Sequence, residues 1–589
     1  MAREPTAPRH SPWLPWFVLA VAALAASLGF LAFILFDAIS EGDAREAPAL
    51  SPDTTVTPEV RAGLTYTGPL PRGAEALELK PAESGKTPDI EFASAGGEGA
   101  VAVRYFVPVA PLGAGVDSLT AEEVQRIWTG EISDWGDVGG LGGEIVPVVA
   151  STEDAPGYYG FIDGEILRRA LAGYDDLRAT MAMDSGIFAI VPLEELRPSM
   201  VAIAIDGIDI ARGTGDPSRW PLAERVQVIA RTEKGRAEVE DIKATVAAKL
   251  PEVTRVVATG DVLQSRCSLA EIMATGDWGA ALRGPVGEYL AAADLALSSL
   301  DGSIQGIGEP YLCIVMEYPN LTSPPEVIEA LTLAGIDEMT VATNHAFDCG
   351  QASCGSEALL ESIDRLNAAG IKTVGGGRNL EEALAPAIFE VNGLTFGVLG
   401  FDDIAAEDLQ ATETSPGTAP LDDSYANEKA DLPAEPAFYK PAALLGVTRL
   451  EERIRALKEQ VDVVIVQIQS GTEDTHAPSP RSIKALRAAA DAGADLVVGN
   501  QAHWVQAIEV RDDTFIAYAL GNFIFDQRWT EEHTQGYLLE ATFHGKRLAT
   551  VRMVPYQIEN RYKPTFVEGD TRAKVLGDVI DASLDLPKP

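Results

Sequence analysis

One arrangement repeats through the second half of this chain: a short apolar run stops at a cluster of Asn, His or Asp. It occurs at Met339-Thr-Val-Ala-Thr-Asn344-His345-Ala-Phe-Asp348-Cys-Gly350. It returns at Asp495-Leu-Val-Val-Gly-Asn500-Gln-Ala-His503 and at Phe515-Ile-Ala-Tyr-Ala-Leu-Gly521-Asn522-Phe-Ile-Phe-Asp526. Runs of this length bounded by turn residues read as buried strands. Polar residues at the carboxyl ends of such strands gather at one edge of an α/β sheet. The pattern therefore predicts an α/β fold with a functional site where several strand ends meet.

The rest of that half agrees. Further strand-like runs are Val256–Thr259, Asp294–Leu297, Phe396–Phe401 and Val461–Ile468. Helical stretches lie between most of them, at Pro325–Ala334, Glu357–Ala369, Leu450–Gln460 and Arg481–Ala492. Alternating helices and strands predict a layered domain over 254–589. Residues 402–440, acidic and rich in Pro, Thr and Ala, read as a long surface loop, a lid over the site.

In order, the residues that could carry chemistry are Asp261, Asp301, Asn344, His345, Asp348, His476, His503 and Asn522. Asp, Asn and His together suit divalent ions such as Mn, Fe or Zn. Two such ions would clamp a phosphoryl or acyl oxygen and activate water, and a nearby His could protonate a leaving group. His476 sits among prolines and reads as exposed. His533 and His544 have no motif around them and read as surface residues.

Trp13 to Phe36 carries no charge, with Arg3 and Arg9 before it and Asp37, Glu41 and Asp43 after it. As a helix it would span roughly 36 Å, enough for a bilayer core. The charge bias places the N-terminus in the cytoplasm and the bulk of the chain outside. Residues 1–45 are thus expected to be a cytoplasmic tail and single-pass membrane anchor; a cleaved signal peptide is the rival reading. Residues 46–98, rich in Pro, Gly and Thr, read as a linker with a short strand or two. The net charge of -42 excludes nucleic acid as a partner through bulk charge and would repel a polyanion. The cysteines are Cys267, Cys313, Cys349 and Cys354. An extracytoplasmic location permits disulfides. Cys349 and Cys354 are close enough for a local loop, leaving Cys267 with Cys313. Zinc ligation is the alternative, without a CxxC to support it.

Residues 99–250 form a separate α/β unit. Val101–Val109, Ile145–Val149, Gly186–Val191 and Val201–Ile205 read as strands. Thr120-Ala-Glu-Glu123 is a capping box before a helix that places Val124, Ile127 and Trp128 on one face and ends at Gly130. Leu119–Trp135, Ile145-Val-Pro-Val and Gly186-Ile-Phe-Ala-Ile-Val-Pro resemble the type II periplasmic binding proteins, particularly the phosphate-binding kind. The resemblance implies their fold. It does not carry over an anion site, since the residues before 100 look too short to supply the family's ligand loops.

A second resemblance covers 254–560. Thr259-Gly-Asp261-Val, Ala293–Gly302, Thr343-Asn344-His345-Ala-Phe-Asp348-Cys-Gly350 and Gly521-Asn522-Phe-Ile-Phe-Asp526-Gln527 resemble the CapA family of poly-γ-glutamate capsule synthesis proteins. That implies an αββα sandwich of the calcineurin-like metallophosphoesterase kind. It also implies a role in assembling, exporting or anchoring an envelope polymer, alone or with its synthase complex. As an enzyme the chain would use metal-assisted hydrolysis or transfer at a phosphate, ester or amide. Asp261, Asp301, Asn344 and His503 would hold metal, and His345 with Asp348 would do acid–base work. Gln469, Asn500, Trp504 and Asn522 would contact the ligand. Three departures bear on this. Gln469-Ser470-Gly471 stands where the family carries His-Trp-Gly. Gly499-Asn500-Gln501-Ala502-His503 stands where it carries Gly-His-His-Pro-His. Ser299-Leu300-Asp301 replaces Asn-Leu-Glu. The competing expectation is a non-catalytic protein that binds glycan or peptide, or an assembly partner in the envelope.

Overall fold

The computed structural model describes residues 63–94, 99–154, 158, 161, 169–310, 312–313, 321–350, 354–405, 407–422 and 446–588. The segment read as a membrane anchor lies outside them, as does 423–440 of the segment read as a lid. Leu64–Pro589 is one compact unit.

Among the described residues, mixed α/β structure builds three large sheets. The first draws its nine strands from Thr65 to Ala230, with Val101–Pro111 near its centre. That strand pairs antiparallel with Ala223–Ala230 on one side and Ile187–Pro192 on the other. The capping box is formed. Thr120 Oγ1 accepts from the Glu123 amide at 3.1 Å, and the Glu123 carboxylate accepts from the Thr120 amide at 2.7 Å. The helix Ala121–Thr129 buries Val124, Ile127 and Trp128 and closes at Gly130. Residues 64–94, within the stretch read as a linker, supply the short strands Thr65–Thr67, Lys80–Pro81 and Ile90–Ser94 to this sheet. Ile90–Ser94 pairs with Ala223–Ala230, a partner more than a hundred residues away that local composition could not reveal.

The other two sheets lie face to face. One has eight strands and centres on Val253–Val262, which runs parallel to Leu295–Leu300 and antiparallel to Gln535–His544. The other has six, with Leu394–Asp402, Val463–Gln469, Leu496–Asn500 and Thr514–Ala517 all parallel. Every residue of Val463–Gln469 is buried, as covered parallel strands require. Val256, Ala258, Leu295 and Leu297 of the first sheet pack against Phe396, Val398, Ile465, Leu496 and Val498 of the second. Arg266–Thr275, Pro285–Ala291 and Ser356–Ala368 cover the outer face of the eight-stranded sheet. Thr448–Lys458 and Pro480–Asp491 cover that of the six-stranded sheet. The order is helices, sheet, sheet, helices.

The nine-stranded sheet is fastened to this sandwich. Thr550 receives the Ala202 amide at 3.1 Å and donates to Met200 O at 2.8 Å. Arg212 is buried between Asp209 and Glu540, and Glu540 also takes Arg255 at 2.7 Å. Both expected disulfides form, Cys267–Cys313 and Cys349–Cys354.

Three expectations need correcting. His544 is buried, not on the surface: its Nε2 donates to Ala211 O at 2.7 Å across the contact with the first sheet. His533 is buried too, because Gln535–His544 crosses the middle of a sheet and draws the preceding turn inward. The lid segment begins inside the body. Asp402 and Asp403 are buried, and Asp402 Oδ1 accepts from the amides of Ile404 and Ala405, which turns the chain.

Candidate functional site

The site forms where strand ends from both sandwich sheets meet. Asp261 is the penultimate residue of Val253–Val262 and pairs in register with Asn522. The glycines of Thr-Gly-Asp and Gly-Asn make this possible. A Cβ on Gly260 would lie 1.8 Å from the carbonyl oxygen of Gly521, so only glycine lets the two backbones approach and set Asp261 beside Asn522.

Asp301 follows the neighbouring strand and accepts from Thr343 Oγ1 at 2.7 Å; that hydroxyl also lies 3.3 Å from Asn344 Oδ1. His345 and Asp348 form a pair, Nδ1 to Oδ2, at 2.8 Å. The Leu321 amide holds the same Asp348 oxygen at 2.6 Å, so the carboxylate orients the ring. Burial disfavours the charged form of His345, yet the hydrogen bond to Asp348 and the charge of Asp301 raise its pKa above the ordinary value.

His503 arrives from the turn after Leu496–Asn500. Gln501 and His503 have φ of +99° and +58°, left-handed conformations of the kind that cluster at functional sites. His503 Nδ1 lies 2.9 Å from Asn522 Oδ1 and 3.5 Å from Asp261, and Nε2 lies 3.9 Å from Asp301. Burial again opposes the charge. The contact with Asp261 and the charges of Asp301, Asp261 and Glu473 outweigh it, and the pKa rises to about 9. The imidazolium is thus the counter-charge of two buried carboxylates.

Around this cluster runs an amide chain. Gln469 Nε2 donates to Gln501 Oε1 at 2.7 Å, and Gln501 Nε2 donates to Glu473 at 2.9 Å. The Gln501 amide reaches Asp261 at 3.3 Å. Asn500 is buried alongside, at the end of the strand paired with Val463–Gln469. Trp504 is half-buried between the rings of His476 and His533. His476 is half-buried as well, its Nδ1 donating to Val505 O at 2.7 Å, and lies beside the site rather than in it. Gln501 and Glu473 complete the cluster although neither was singled out as a site residue. Gln501 falls in one departed motif and Glu473 lies two residues after another, which was the available signal. His533 had none.

Asp261 Oδ1 and Asp301 Oδ2 are buried without a hydrogen-bond partner, which asks for positive charge. His503 supplies it, one nitrogen already engaged by Asn522. Neutral Gln469, Asn500 and Gln501 offer amides where a two-ion centre needs imidazoles. Among the described residues no group of three or more His, Cys, Asp or Glu is arranged to hold a metal ion. The donor set does not fit a two-ion centre.

Residues 255–527 match the family described as bacterial capsule synthesis protein PGA_cap. That stretch of the chain is similar to the CapA family. It is 30% identical over 234 residues to the PGA biosynthesis protein CapA of Bacillus subtilis (strain 168), covering 40% of this chain and 53% of that one. It is 27% identical over 240 residues to the capsule biosynthesis protein CapA of Bacillus anthracis, covering 41% and 52%. The chain thus spans about half the length of these CapA relatives. An ABC-type phosphate transport receptor from Vibrio cholerae overlaps 28% of this chain and 75% of its own, at 14% identity and a TM-score of 0.23. A 5'-nucleotidase from Candida albicans SC5314 overlaps 56% and 57%, at 12% identity and a TM-score of 0.28. Overlaps of that quality assign no fold. The CapA match spans Asp261, Asp301, Asn344, His345, Asp348, His503 and Asn522, the residues the sandwich gathers.

Proposed function

We propose that this chain is an accessory protein in the assembly or export of an envelope polymer of the poly-γ-glutamate class. Its site recognises a ligand and moves protons without a two-metal centre. The family match supports the role. The observation that carries the chemistry is His503, drawn between Asp261 and Asp301 with its Nδ1 on Asn522. The His345–Asp348 pair can take or give a proton at Nε2, since Asp348 holds Nδ1.

The helix–sheet–sheet–helix order of 254–589 supports the calcineurin-like metallophosphoesterase reading, and the first sheet supports the binding-protein reading of 99–250. Two disulfides support an oxidising compartment. With the apolar segment 13–36, they support an anchored protein whose body lies outside the cytoplasm.

Elemental analysis of the purified full chain, after loading with Mn, Fe or Zn, tests the reading. The expected result is no stoichiometric metal. A bound equivalent that disappears in both Asp261→Ala and His503→Ala would overturn it and restore a metallohydrolase.

A further inference from the structure

We propose that Trp529, held against His533, forms a stacking platform for an uncharged saccharide ring beside the Asp261–His503 site. The proposal rests on the reading above and names the ligand class of the same site.

Of the described tryptophans only Trp529 is exposed, at 68%. An indole left in water beside a buried polar cluster would be costly surface without a partner, yet its position is built. Its ring stands edge-on to His533, 5.2 Å between centroids. His533 is buried, accepts from Trp504 Nε1 at 3.3 Å, and meets Asp474 through Nε2 at 2.7 Å. An indole N–H can only donate, so His533 Nδ1 accepts and Nε2 donates: the ring is neutral. Burial lowers its pKa in the same direction. Asp474 adjoins Glu473, which Gln501 ties to the amide chain over Asp261. Contacts therefore run from the exposed indole to the buried carboxylates.

The chemistry of this rim selects its ligand. An indole offers a flat apolar face with a polar edge, suited to the C–H face of a pyranose. Glu473, Asp474 and the Thr530 hydroxyl offer hydrogen-bond partners for sugar hydroxyls. Arg528, exposed next to Trp529, is outnumbered by Glu473, Asp474 and Glu531, so an anionic polymer is disfavoured. The apolar patch is one ring wide. A stable protein partner would need about 800 Å² on each side.

The test is isothermal titration calorimetry of the full chain with short chito- and cello-oligosaccharides, and with oligo-γ-glutamate as the anionic comparison. One of the saccharides should bind. Trp529→Ala should weaken it by roughly tenfold, about the worth of one aromatic contact, and Trp529→Phe should recover part of the loss. Trp529 is exposed, so these variants keep the fold. No binding of either saccharide, an unchanged Kd in Trp529→Ala, or Trp529-dependent binding of oligo-γ-glutamate instead would overturn the proposal. Metal content read on the same samples separates the two ideas. Bound metal with saccharide binding retained defeats only the metal-free site, and a metal-free protein that ignores both saccharides defeats only the platform.

Discussion

His503 Nδ1 donates to Asn522 Oδ1 across 2.9 Å, and the orientation of that amide is not free. Asn522 Nδ2 donates to the backbone carbonyl of His533 at 3.0 Å and to Gln527 Oε1 at 3.0 Å. A carbonyl can only accept, so the amide nitrogen must face it and the oxygen must face His503. The bond therefore turns Nε2 toward Asp301 and makes the ring a bridge between two carboxylates. Asn522→Ala should release the ring and leave the His533 carbonyl without its donor, costing about 1–3 kcal/mol. Urea unfolding checks this; an unchanged midpoint would refute the bridge.

His503 also predicts alkaline lability. Its pKa is raised from 6.5 to about 9 in the folded chain. A group with a raised folded pKa stabilises fully below its unfolded value and loses that contribution as pH rises through the folded one. Stability should thus fall by about 3 kcal/mol between pH 6.5 and 9. The slope should vanish in His503→Gln, measured by unfolding across that range.

His544 predicts the opposite limb. Burial pushes its pKa down to about 4, and its Nε2 donates to Ala211 O. The unfolded chain takes up the proton first, so this contribution is complete above about pH 6.5 and is lost as pH falls toward 4. The loss amounts to about 3 kcal/mol. A His544→Gln protein should unfold less steeply with acid than the parent; equal slopes would show that His544 does not control this limb.

Glu540 holds the first sheet to the sandwich through Arg212, Arg255 and Tyr289. Glu540→Ala leaves a buried guanidinium with Asp209 as its remaining carboxylate, a change of about 3–5 kcal/mol. Thermal unfolding should show a clear loss. A double change with Arg212→Met should recover part of it, and equal loss in single and double variants would deny the coupling.

The disulfides should differ in weight. Cys267–Cys313 closes a separation of 46 residues and Cys349–Cys354 one of 5. In the chain-entropy account, opening the first costs about 4 kcal/mol and the second about 2 kcal/mol. Paired Cys→Ala variants compared by chemical unfolding should keep that order.

What the sequence determined by itself is local or periodic. The capping box at Thr120 needs only four residues. The strands around Val463 and Leu496 follow from apolar runs too short for helices. Asp261, Asn344, His503 and Asn522 stood at strand ends, where parallel strands must present their last residues to one edge. The tertiary structure decided what depends on partners distant in the chain. Ile90–Ser94 became a strand because Ala223–Ala230 pairs with it. His544 is buried because Ala211 faces it, and His533 because Asp474 and Trp504 do. Above all, the charge of His503 arises from Asp261 and Asp301, some 240 and 200 residues earlier in the sequence. A pKa is a property of the surrounding field, and that field exists only once the strand ends have met.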